Sequence, residues 1–106
     1  MTNSREKGAR GEREIASILR EHGYDSRRGQ QHAGGPDSPD VIGLPGVHIE
    51  VKRTERFSLY DALNQAKDDK GEGEVPVVFH RRNNYEWVAV MPLDDFLAFY
   101  RESGLI

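Results

Sequence analysis

The chain has 106 residues, 36% of them hydrophobic and 31% charged, with a formal net charge of −3 and no cysteine. That length suits one compact domain with a small core, and the lack of cysteine excludes disulfides and thiolate zinc sites. The longest apolar stretch, Val75-Pro76-Val77-Val78-Phe79, is far too short to span a bilayer, and the charged opening MTNSREKGARGERE lacks the apolar run of a secretory signal, so a cytoplasmic location without membrane contact is expected.

No internal repeat interrupts the chain, and residues 1–106 read as a single domain with residues 1–6 as a flexible tail. Ile15, Ala16, Ile18 and Leu19 share one face at helical spacing, which predicts a helix over 8–22 stopped by Gly23. A short strand is expected over 24–28. Residues 29–39, rich in Gly, Pro, Gln and Ser, read as a mobile loop. A strand over 40–44, a Pro45-Gly46 turn and a strand over 47–52 should form a hairpin. In the second of these strands, Val47, Ile49 and Val51 take one face and His48, Glu50 and Lys52 the polar other. Ser58 and Asp61 have the spacing of a capping box, opening a helix that buries Leu59, Ala62, Leu63 and Ala66. Residues 75–79 read as a central strand, 82–84 as a turn and 85–91 as a further strand. Pro92 suits the first position of a last helix, with Asp94 and Asp95 in its first turn and an apolar stripe of Leu93, Phe96, Leu97 and Tyr100. The order αβββαββα places a helix between two strands, which implies a crossover and hence a mixed β-sheet flanked by helices, an α/β domain.

Chemistry concentrates in three places. Glu12 lies on the apolar side of the first helix, where a carboxylate is costly unless it is paired with a base or a metal. Asp40 begins a strand and can be aimed, whereas Asp37 of the neighbouring Pro-Asp sits in the loop and reads as a turn former. Glu50 and Lys52 share a strand face; such a pair is ordinary on a solvated sheet, but here the hairpin brings Asp40 alongside. Carboxylates beside a lysine suit metal-assisted phosphodiester hydrolysis, since Mg²⁺ needs only one or two carboxylates and an ammonium can meet growing negative charge. The negative net charge argues against a nucleic-acid partner, yet Arg5, Lys7, Arg10, Arg13, Arg20, Arg27 and Arg28 crowd the N-terminal third, so a basic face is expected. Phosphate contacts are assigned to Arg10, Arg13, Arg27, Arg28, Gln30, Gln31 and Arg53. His48 shares the Glu50 face and reads as a partly exposed strand residue near the site. Trp87 and the tyrosines read as core or interface residues.

Lys7-Gly8-Ala9-Arg10-Gly11-Glu12-Arg13-Glu14, then Gly23-Tyr24, Pro39-Asp40-Val41 and Glu50-Val51-Lys52 together resemble the archaeal and phage Holliday junction resolvases of the PD-(D/E)XK nuclease superfamily. The likeness covers most of residues 7–70, and Gln30 to Gly35 look more like the phage versions. It implies a restriction-endonuclease-like core and a homodimeric, metal-dependent endonuclease that nicks four-way DNA junctions symmetrically. Asp40 and Glu50 would be metal ligands, Glu12 a metal-linked acid and Lys52 the residue that orients water or steadies the phosphate. Gln65 would match an auxiliary glutamine of some members. Mg²⁺ is the implied cofactor, with Mn²⁺ able to substitute. The relatives are often basic and this chain is not, so its DNA footprint must be local. Two other readings stand beside this one: a nuclease of the same superfamily acting on duplex, flap or nicked DNA, and a non-catalytic DNA-binding module.

Overall fold

The computed structural model describes residues 4–29 and 39–105, so Gln30, Gln31, His32 and Asp37 lie outside the described residues, as does most of the expected loop. In chain order the elements are α1 (Ser4–Glu21), β1 (Arg27–Arg28), β2 (Val41–Ile42), β3 (Val47–Arg53), α2 (Leu59–Asp69), β4 (Val75–Arg81), β5 (Val88–Val90) and α3 (Leu93–Ser103). The order is the expected αβββαββα. Helix α1 starts at Ser4, so residues 4–6 of the expected tail are helical.

One five-stranded sheet runs β1-β2-β3-β4-β5. Strand β3 pairs in parallel with β4 and antiparallel with β2, so the sheet is mixed, and α2 makes the crossover between the parallel strands. The two faces are covered separately. Ile15 and Ala16 of α1 pack on Val41, Ile49 and Val51. Ala62 and Ala66 of α2 pack on Val78, with Phe57, Leu63 and Val90 around them. Leu59, expected in that layer, is instead exposed.

Helix α1 comes very close to β3. A Cβ on Gly11 would stand 2.7 Å from the Arg53 Cβ and 3.3 Å from the Val51 Cγ1. Glu14, one turn from Gly11, ties the helix to the far strands by accepting hydrogen bonds from Arg81 Nη1 at 2.9 Å and Trp87 Nε1 at 3.1 Å. Between β3 and α2, Phe57 stacks on His80 with ring centroids 3.9 Å apart, and the His80 ring meets the Thr54 carbonyl through Nε2.

Two local expectations change. The Ser58 hydroxyl donates to Asp61 Oδ2 at 2.7 Å rather than accepting from the helix backbone, so no capping box forms. Pro92 is the N-cap of α3, with ψ of 144°, and not its first helical residue. The apolar stripe of α3 is present and uncovered: Leu93, Phe96 and Leu97 are exposed, Tyr100 is half-buried and the helix buries no residue.

Candidate active site

The site forms where β2 parts from β3. Strand β2 is only two residues long, and the Asp40 amide still donates to the Ile49 carbonyl at 3.0 Å. One step further the chain turns away, and the Asp40 side chain takes over from its backbone. Its Oδ2 accepts the Val51 N–H at 2.8 Å. The exposed edge of β3 is thereby satisfied, and the carboxylate is fixed to the sheet rather than to the loop before it.

A cleft of about 380 Å³ opens there, lined among others by Glu12, Asp40, Glu50 and Lys52. The four residues expected to carry the chemistry are therefore brought together, from α1, the β2 entry and β3. Lys52 Nζ donates to Gln65 Oε1 at 3.1 Å, which places the auxiliary glutamine at the site. Glu12, only 8% exposed, accepts from Arg28 Nε at 2.9 Å. Burial raises the Glu12 pKa, the bond from Arg28 opposes that, and the charge of Asp40 adds to the rise. Arg28 is thus engaged with a site carboxylate as well as half-exposed. Lys7 and Arg53 line the same cleft, and with Arg10 and Asn83 they line an adjoining cavity of about 150 Å³. Arg13 and Arg27 are exposed and stand outside both linings.

Glu50 departs most from ordinary behaviour. It is 2% exposed, and burial, followed by the negative charge of Asp40 and a hydrogen bond to it, raises its pKa to about 8. Near neutral pH and without a cation, Glu50 therefore holds a proton and shares it with Asp40. Two carboxylates so close cannot both ionise without a counter-charge.

Among the described residues, no three His, Asp or Glu side chains form a ready-made metal cage. Mg²⁺ does not need one; it keeps several waters and takes one or two carboxylates. The Asp40–Glu50 pair, whose mutual repulsion a divalent cation would relieve, fits that requirement.

A pH dependence follows. An unfolded Glu50 ionises near its ordinary 4.5 and the folded one near 8, so between those values the unfolded chain binds fewer protons. Metal-free stability should thus fall as pH rises from about 5 to 8. A divalent cation held by this pair would need it ionised, so added Mg²⁺ should then raise the melting temperature more at pH 8.5 than at pH 6. Thermal melts at the two pH values, with EDTA or Mg²⁺, check this; a metal effect that does not grow with pH would contradict it.

The sequence missed His48. It is not partly exposed but 1% exposed, and its Nε2 lies 2.9 Å from Glu50 Oε1. Alternation assigns it to the polar face, but nothing local tells that α2 covers that face as far as Glu50.

A mixed sheet that parts at an aspartate, with Glu-x-Lys on the adjacent strand and a glutamate from the covering helix, is the arrangement expected of the PD-(D/E)XK nuclease class. The family model for the archaeal Holliday junction resolvase (Hjc) matches residues 3–68, and the chain belongs to that family. Its structure is similar to that of Hjc, a Holliday junction resolvase from the archaeal hyperthermophile Archaeoglobus fulgidus. The TM-score is 0.59 and the identity 25%, over 80% of this chain and 72% of that one. No curated protein sequence matches significantly.

Proposed function

We propose that this protein resolves four-way DNA junctions by hydrolysing phosphodiester bonds in paired, symmetrical nicks, using Mg²⁺ held by Asp40 and Glu50. The observation that carries the reading is the single cleft in which Glu12, Asp40, Glu50 and Lys52 converge. When bound, the cation supplies a Lewis acid for the phosphoryl oxygen and a lowered pKa for water. Asp40 and Glu50 hold it, and Glu12 acts as an outer carboxylate from α1. Lys52 spends one N–H on Gln65 and keeps two for a phosphate oxygen or the attacking water. Lys7, Arg10, Arg53 and the half-exposed Arg28 surround the cleft, with Arg13 and Arg27 further out. These cations answer the net charge of −3: the DNA footprint is local.

The test is incubation with Mg²⁺ and a labelled four-way junction beside linear duplex, flap and single-strand controls. Paired nicks in the junction alone are expected, and Mn²⁺ should replace Mg²⁺. Equally fast cutting of duplex or flap would point to another nuclease of the superfamily. Binding without cutting under any divalent metal would leave a DNA-binding module.

The working unit is a homodimer, acting in the cytoplasm, with the two sites placed for two strands. The uncovered apolar side of α3, with exposed Val88 of β5 beside it in sequence, is the seam we assign to it. Sedimentation should give a dimer at micromolar concentration, and Phe96→Asp with Leu97→Asp should give a folded monomer. A monomeric wild type would remove this assignment.

A further inference from the structure

We propose that His48 is a positioning residue that holds the Glu50 carboxylate in the orientation required for binding the divalent cation. The inference rests on the reading of Asp40 and Glu50 as cation ligands.

Three of the four site side chains each have an evident restraint. Asp40 is fixed by the Val51 N–H, Lys52 by Gln65 and Glu12 by Arg28. Glu50 has His48, two residues back on the same face of β3, with Nε2 2.9 Å from Oε1. An ionised carboxylate can only accept, so in the cation-binding state Nε2 must carry the hydrogen. With Oε1 so engaged, the carboxylate is held against rotation, and the other oxygen keeps its acceptor capacity.

The His48 ring is itself enclosed. It is 1% exposed, and its Nδ1 lies 3.8 Å from Oε1 of Glu74. Glu74 is anchored in turn, since that same oxygen accepts the Gly71 N–H at 2.6 Å. Asp69, at the end of α2, adds its negative charge near Glu50. An aliphatic residue would fill such a position on an interior strand at less cost, because a buried polar ring must find a partner. Its partner here is a carboxylate of the cleft. Groups that orient metal ligands in this way commonly change metal affinity 10- to 100-fold when removed.

Two substitutions of the same chemistry but different reach test the proposal. The amide of His48→Gln can stand close to the position of Nε2; that of His48→Asn is too short to meet Glu50. Mn²⁺ binding by the full chain without DNA is read from the electron paramagnetic resonance of free Mn²⁺. The Mn²⁺ concentration for half-maximal junction nicking is read in parallel. The Gln variant should stay within about threefold of wild type, and the Asn variant should bind Mn²⁺ about 10- to 100-fold more weakly. Excess Mn²⁺ should restore nicking by the Asn variant, and junction binding in EDTA should be unchanged in both. Wild-type Mn²⁺ affinity in the Asn variant, or equal losses in both, overturns the proposal. If the Asn variant does not fold, His48→Met, which has similar bulk and no donor, takes its place, and wild-type affinity there overturns the proposal equally. A wild-type protein that binds no Mn²⁺ and cuts no junction overturns the metal reading itself. Metal-binding wild type matched by every variant overturns only the role of His48.

Discussion

Asp40→Asn and Glu50→Gln should each reduce junction cleavage by at least about a hundredfold to a thousandfold, the range seen when one charge-stabilising group is lost, while junction binding in EDTA persists. The two substitutions are chosen for what they preserve. Asparagine keeps an oxygen to accept the Val51 N–H, so the end of β3 stays closed. Glutamine copies the neutral form that Glu50 holds below about pH 8 without metal, so Glu50→Gln should melt no lower than wild type in EDTA, and higher above that pH. A dead but stable Glu50→Gln protein separates chemistry from folding. Asp37→Asn should cleave near normally. A dead Asp37→Asn beside an active Asp40→Asn would show that the wrong Pro-Asp had been chosen.

The second large effect is expected at Gly11. Gly11→Ala places a methyl 2.7 Å from the Arg53 Cβ, a part of the side chain that cannot swing aside. Such overpacking costs about 1–3 kcal/mol, partly offset by the better helix propensity of alanine, about 1 kcal/mol. Larger residues should do worse, and Gly11→Val should lower the melting temperature by several degrees. As α1 is pushed off β3, Glu12 moves with it, so cleavage should fall further than stability predicts. Gly8 is the control on the same helix. A Cβ there meets nothing within 4 Å, so Gly8→Ala should be neutral or stabilising. Equal melting of the Gly8→Ala and Gly11→Ala proteins would rule out close packing as the reason for Gly11.

Much of the site was legible because its parts are short-range. Glu50 and Lys52 share a face by strand alternation alone, and helical spacing sets Glu12 on the buried side of α1. The adjacency of Val41 and Ile42 marks Asp40 as bound to the sheet, where its carboxylate accepts the Val51 N–H. What escaped depends on long-range cover. His48 and Lys52 are equivalent in a two-residue period, yet His48 is buried and Lys52 is half-exposed at the cleft. Leu93, Phe96, Leu97 and Tyr100 form the stripe that spacing foretells, but a stripe does not say what covers it, and among the described residues nothing buries it. Arg28 lies sixteen residues from Glu12, and no local pattern pairs them.

The Gly29 N–H donates to the Asp40 carbonyl at 2.9 Å, so the chain leaves and re-enters the sheet at almost one point. The residues flanking the intervening stretch are stapled together, and the aspartate of the cleft hangs from the staple. Asp40 is thereby clamped through its amide to Ile49, through its carbonyl to Gly29 and through its carboxylate to Val51, so its place in the cleft is set by the sheet alone.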